Sequence, residues 1–151
     1  MLRDEINTAL KDAMKARDER RVSTLRLVNA ALKNADLEAQ GKGKPTLSDE
    51  ELLGLLQKLI KQRQEAIELY DKAGRTELAD QERGEIEIIT AYLPKQMSEA
   101  EARAAVAQAI EATGATGIKD MGKVMNVLKP RVQGRADMAQ VSALVRARLS
   151  A

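Results

Sequence analysis

Apolar residues recur at intervals of three and four along nearly the whole chain, the spacing that places them on one face of a helix. Leu2, Ile6, Leu10 and Met14 form a first stripe, followed by the charged run Lys15–Arg21, which reads as a connection or a continuation. A second stripe, Val22, Leu25, Val28, Leu32 and Ala35, stops at Gly41-Lys42-Gly43-Lys44-Pro45, where two glycines and a proline break the pattern. Ser48-Asp49-Glu50-Glu51 has the form of a capping box and opens a third helix through Leu52, Leu56, Leu59, Ile67 and Tyr70 to Gly74. Ile86, Ile89 and Leu93 mark a fourth, stopped by Pro94. These four predict an antiparallel bundle with short loops.

A second capping box, Ser98-Glu99-Ala100-Glu101, opens a helix through Ala102, Val106, Ala109 and Ile110 that Gly114 and Gly117 close. A short helix over 121–128 is predicted to end at Pro130. Asp137 caps a last one through Val141, Leu144, Val145 and Leu149. No alternating pattern of the strand kind survives for long. The fold class expected is all-α: a helical bundle over residues 1–94, then a small, basic three-helix unit over residues 95–151.

Composition narrows the chemistry. Phe and Trp are absent and Tyr70 and Tyr92 are the sole aromatics, so the core rests on aliphatic side chains and alanine. Cys is absent, which excludes disulfides, thiolate metal sites and thiol nucleophiles. His is absent too, removing the commonest general base and neutral metal ligand. Neither a catalytic residue nor a metal or cofactor site is therefore expected. No apolar run approaches the roughly 18 residues of a membrane span. The charged, amphipathic start does not read as a secretory signal, so the default expectation is a soluble cytoplasmic protein.

The remaining polar motifs have bland readings. Gly41–Thr46 lacks the spacing of a phosphate loop, and Pro45 removes a backbone donor, so a solvated linker is expected. Glu82, Glu85 and Glu87, with Asp80 nearby, suggest acid–base work or a hard cation, but no partner base accompanies them, and an exposed helix face is the reading adopted. Ser23 and Thr24 lack a neighbouring base. Arg63 interrupts the third stripe. Either its stem covers the core edge while its head reaches solvent or a glutamate, or it contacts an anion.

Charge is unevenly distributed. Lys119, Lys123, Lys129, Arg131, Arg135, Arg146 and Arg148 face only Asp120 and Asp137 between residues 119 and 151. That stretch is +5, against −3 for residues 1–118. Gly122-Lys123 and Gly134-Arg135 add glycine turns beside helices, a setting that offers free amides and a positive dipole end to phosphate. Alternatively, Gly134 and Asp137 simply build a turn and a cap. The lack of aromatics argues against stacking on unpaired bases, so an RNA partner would be read through backbone and shape.

Several stretches together resemble one family. Lys58-Leu59-Ile60-Lys61-Gln62-Arg63, Tyr70-Asp71-Lys72-Ala73-Gly74-Arg75 with Leu78-Ala79, Glu85-Ile86-Glu87 and Tyr92-Leu93-Pro94-Lys95-Gln96-Met97-Ser98 are joined by the MGKVM and GRAD elements at 121–125 and 134–137. This pattern closely resembles the stand-alone YqeY family across essentially the whole chain. After Pro94 it also resembles the carboxy-terminal part of the GatB subunit of the tRNA-dependent amidotransferase. The resemblance implies a helical bundle with a small tail domain, the part of the amidotransferase that contacts the tRNA elbow. The kinase, transamidation and glutaminase chemistry lies in domains and subunits outside the matched region. Gly122, Val124, Met125, Gly134, Arg135, Ala136 and Asp137 match the tail's pattern. Asn126 departs from it, standing where the family has glycine, and the stretch from Met125 to Gly134 is longer than in GatB.

The expected function is a non-catalytic accessory protein associated with tRNA or other structured RNA. Lys123, Lys129, Arg131, Gly134 and Arg135 are its candidate RNA-binding residues. Two alternatives come from other classes: an accessory component among amidotransferase subunits, supporting a carbon–nitrogen ligase reaction with glutamine as nitrogen donor, and a helical protein-binding adaptor. If the tail cations are free surface, Lys129, Arg131 and Arg135 changed together to alanine should weaken RNA binding in a mobility-shift titration. Stability should then stay within about 0.5 kcal/mol.

Overall fold

The computed structural model describes all of residues 1–151 and contains seven α-helices and no strand: α1 (Leu2–Ala16), α2 (Glu19–Gly41), α3 (Asp49–Lys72), α4 (Thr76–Thr90), α5 (Glu99–Thr113), α6 (Met121–Val132) and α7 (Met138–Ser150). A single 3-10 turn, Ile118–Asp120, precedes α6. The expected all-α class is therefore the observed one. The chain forms two compact units, Met1–Leu93 and Pro94–Ala151.

In the first unit α1 packs on α2, α2 on α4, and α3 on α4. One core joins them, built from Leu2, Ile6 and Ala13 of α1, Leu25, Val28 and Leu32 of α2, Leu52 and Leu56 of α3, and Ile89 of α4. Ala13, not Met14, continues the stripe of α1; Met14 is half exposed. Helical geometry explains the difference. At about 100° per residue, Ala13 returns to within about 20° of Leu2, whereas three successive four-residue steps carry Met14 about 120° away.

Helix ends are fixed locally. Ser48 and Ser98 accept from the backbone amides of Glu51 and Glu101, whose carboxylates bond back to the serine amides, so both capping boxes form. α1, α2, α3 and α5 all end in a Schellman turn, with a left-handed residue whose N–H, and that of its successor, close back on the last turn. Gly43, Gly74 and Gly114 fill that position in three of them, but α1 puts Arg17 there, at φ 56°. The amide of Asp18 bonds the Ala13 carbonyl at 3.0 Å to complete the turn, and the Asp18 carboxylate then caps α2 through the Arg21 amide at 3.2 Å. The charged run 15–21 is thus neither plain connection nor continuation but two caps back to back.

Beyond Leu56 no side chain of α3 is fully buried, and ionic contacts to α4 accompany the partly buried Leu59 and Ile60. Arg63 Nε donates to Glu85 Oε2 at 3.2 Å and lies 3.9 Å from Glu82 Oε2, while its Nη1 donates to the Leu59 carbonyl at 3.0 Å. Glu85 is 8% exposed, which corrects its expected place on a solvated face. The cause is tertiary, because α3 brings a cation to it. The glutamate-paired reading of Arg63 is the one observed. One guanidinium cannot neutralise two carboxylates: burial, and then the charge of Glu85, raise the Glu82 pKa despite Arg63. On the other side of α4, Gly84 gives room for the Arg20 guanidinium to lie against the helix.

These charges give opposite expectations for two neighbouring glutamates. Glu85→Gln should cost about 2–3 kcal/mol in urea unfolding at neutral pH, because it leaves Arg63 without its hydrogen-bonded anion. Glu82→Gln should stabilise. A carboxyl whose pKa is raised on folding costs nothing below its ordinary value of 4.5, opposes folding increasingly from there up to the raised value, and carries its full cost above it. The gain present at neutral pH should shrink towards nothing as the pH falls to 4.5. A gain independent of pH would refute this account.

Candidate nucleic-acid interface

The second unit has its own core: Ala105, Val106 and Ala109 of α5, Val124, Leu128 and Val132 of α6, and Val141, Val145 and Leu149 of α7. α6 runs through Pro130 to Val132, a correction to the expected stop. Proline removes one backbone bond near the helix end, where few remain to be lost. Val132 is fully buried, so packing holds the final turn. Asp120, ahead of α6, accepts from the Thr116 amide at 3.0 Å. That bond, with the charges of Lys123 and Lys119, lowers its pKa. Asp137 accepts from the Ala139 amide at 3.0 Å and caps α7.

The five candidate residues separate into two groups. Lys123, Lys129 and Arg131 are exposed; none forms a salt bridge, although Asp120 feels the charge of Lys123. Lys123 and Lys129 flank the solvent face of α6 together with Gly122, Asn126 and Pro130. Arg131 follows Lys129 by about 200° around the axis and points elsewhere. Lys129 and Arg131 also sit in the last turn, where cations complement the negative end of the helix dipole.

Gly134 and Arg135 do different work. Gly134 is buried at φ 75°, and its carbonyl accepts from Gln96 Nε2 at 2.8 Å. The next carbonyl, that of Arg135, accepts from the Met97 amide at 2.9 Å. The Arg135 side chain turns back, its Nε donating to the Lys95 carbonyl at 2.9 Å. The 95–97 segment is therefore buckled onto the α6–α7 turn. This corrects the expectation that all five residues form a free surface: Gly134 supplies a conformation and Arg135 a clasp. A guanidinium beside a backbone carbonyl forty residues away leaves no trace in local sequence. The Glu101 carboxyl, held low in pKa first by the Ser98 amide, also feels the charges of Lys95 and Arg135.

No group of three or more carboxylates is placed to hold a metal ion, and no helix is long and apolar enough to cross a membrane. The second unit carries nine basic residues against five acidic ones, a net charge of +4, so the first is −2.

The fold and this surface define a two-unit, all-helical protein with a clasped, cationic tail. The model of the Yqey-like proteins matches residues 3–149, and the chain belongs to that family. Among curated relatives, "Altered inheritance of mitochondria protein 41, mitochondrial" of Lachancea thermotolerans is 43% identical over 84 residues, covering 56% of this chain and 43% of the relative. The protein of the same name from Vanderwaltozyma polyspora is 39% identical over 85 residues, 56% of this chain and 44% of its own. That of Pyrenophora tritici-repentis is 30% identical over 129 residues, 84% and 68%. This chain thus spans less than half the length of the two yeast relatives.

These names overturn the cytoplasmic address. The relatives are called mitochondrial and point to that compartment instead. The composition argument could not have separated the two, since lack of cysteine and of a membrane span excludes neither.

If Arg135 is a clasp, Arg135→Ala should cost the second unit about 1 kcal/mol, while Lys129→Ala should stay within about 0.5 kcal/mol. Both tyrosines, Tyr70 and Tyr92, lie in the first unit, so amide hydrogen exchange over residues 94–151 is the measurement to use. Protection should fall about fivefold for Arg135→Ala alone.

Proposed function

We propose that this protein is a non-catalytic accessory factor that binds tRNA or another structured RNA through the second unit, with Lys123, Lys129 and Arg131 as contacts to phosphate. The observation that carries this reading is the contrast within one small domain. Arg103 is neutralised by Glu99 at 2.8 Å and Arg135 is used internally, yet these three exposed cations form no salt bridge, Lys123 only influencing Asp120. Phosphate is the anion that such a surface meets most often in RNA. The likeness of the tail to the amidotransferase subunit supports RNA over other polyanions. Partnership with amidotransferase subunits remains the second reading, supported by that likeness.

Lys123→Ala, Lys129→Ala and Arg131→Ala combined should weaken binding of total tRNA without unfolding the second unit. The log–log dependence of affinity on salt should flatten by about 2–3, as each lost phosphate contact removes roughly 0.7–0.9. Arg135→Ala should leave that slope nearly unchanged. Undiminished tRNA affinity in the triple variant would refute the proposal, and copurification with amidotransferase subunits but not with tRNA would favour the second reading.

A further inference from the structure

The first unit contains eight arginines. Arg3, Arg63, Arg75 and Arg83 are each bonded to a carboxylate. Arg17, Arg20, Arg21 and Arg26 have no such partner, and all four lie where α1 gives way to α2. The segment 11–26 holds six basic and three acidic residues, a net +3 within a unit of net −2. One of those acids, Asp18, is committed to its cap. An acidic unit therefore presents one basic end.

Arg17 and Arg26 stand at that end beside an open groove of about 720 Å³, whose other walls are Glu19, Val22, Ser23 and Leu27. Its surface is mainly apolar, and Leu27, 52% exposed, presents its side chain there. A nucleic acid would leave that surface unsatisfied, whereas an amphipathic helix places apolar anchors in such a groove. The unpaired guanidinium groups then select acidic flanks.

Arg17 supplies a second line of argument. Three Schellman turns of this chain use glycine at the left-handed position; the fourth uses the residue whose side chain edges the groove. A side chain in this conformation is sterically disfavoured. Local departures of this kind concentrate where a surface has work to do.

We infer that the groove between Arg17 and Leu27 docks an acidic amphipathic helix of a partner protein, with Val22 and Leu27 receiving its apolar face and Arg17 and Arg26 its carboxylates. This surface belongs to the first unit, and the inference stands whether or not the cations of the second bind RNA.

The probe is a fluorescein-labelled peptide of about 18 residues with leucines at helical spacing and glutamates on the flanks, read by anisotropy against the full chain. A counterpart with lysine for every glutamate should bind at least tenfold more weakly. Arg17→Gly with Arg26→Ala, and separately Leu27→Glu, should each lower affinity for the acidic peptide at least tenfold. Arg17→Gly relieves the left-handed strain, so it alone should melt no lower than the parent, and loss of binding is then not loss of fold. Lys123→Ala should leave peptide binding unchanged. The inference is overturned by equal affinity for the two peptides, by undiminished binding in both variants, or by no binding up to about 1 mM. It is also overturned if the groove variants abolish binding of tRNA or of phosphatidylglycerol vesicles while the acidic peptide does not bind.

Discussion

A helical protein without phenylalanine or tryptophan has to bury its apolar surface in small pieces. Both cores here are made of leucine, isoleucine, valine and alanine, each contributing roughly 0.8 kcal/mol per buried methylene and none of the large area an aromatic ring brings. Such cores hold helices together over short stretches, so backbone ends and polar contacts must fix what packing does not. That division of labour recurs throughout. Two capping boxes and four Schellman turns set helix boundaries, while Arg63 with Glu85 joins α3 and α4 where buried leucines run out.

The consequences differ between the units. In the first, a buried ionic contact sits beside partly buried apolar residues of α3 and α4. Its excess negative charge makes Glu82 a cost that the fold carries at neutral pH. In the second, the three helices enclose a valine-rich core, and the polar contacts move to the periphery, where Lys95, Gln96 and Met97 meet Gly134 and Arg135. A basic surface built on so small a scaffold needs its backbone held firmly, because exposed cations position a phosphate no better than the helix beneath them.

Local signals were legible in the sequence and tertiary ones were not. Ser48 with Glu51, Ser98 with Glu101, Asp137 and Gly114 each announce a helix end through a bond to their own backbone neighbourhood, which spacing alone reveals. Met14 misled because a strict four-residue step drifts away from the true helical period. Pro130 misled because its intrinsic penalty is offset by the burial of Val132, a fact of packing. Glu85 reads as a solvated surface charge and Arg135 as a candidate phosphate contact. Their roles depend on Arg63, twenty-two residues away, and on the Lys95 carbonyl, forty residues away. The candidate RNA surface was therefore half legible: its exposed cations could be named from charge clustering, but their separation from the clasp could not.

The buckle at residues 95–97 also bears on how the protein can be taken apart. The serine capping box marks an obvious place to cut, and a piece beginning at Ser98 keeps every helix of the tail. It also discards the Gln96 amide group, the Met97 N–H and the Lys95 carbonyl, leaving the bend between α6 and α7 with stranded partners. The smallest faithful excision of this domain thus starts ahead of its first helix, within what looks like mere connecting chain.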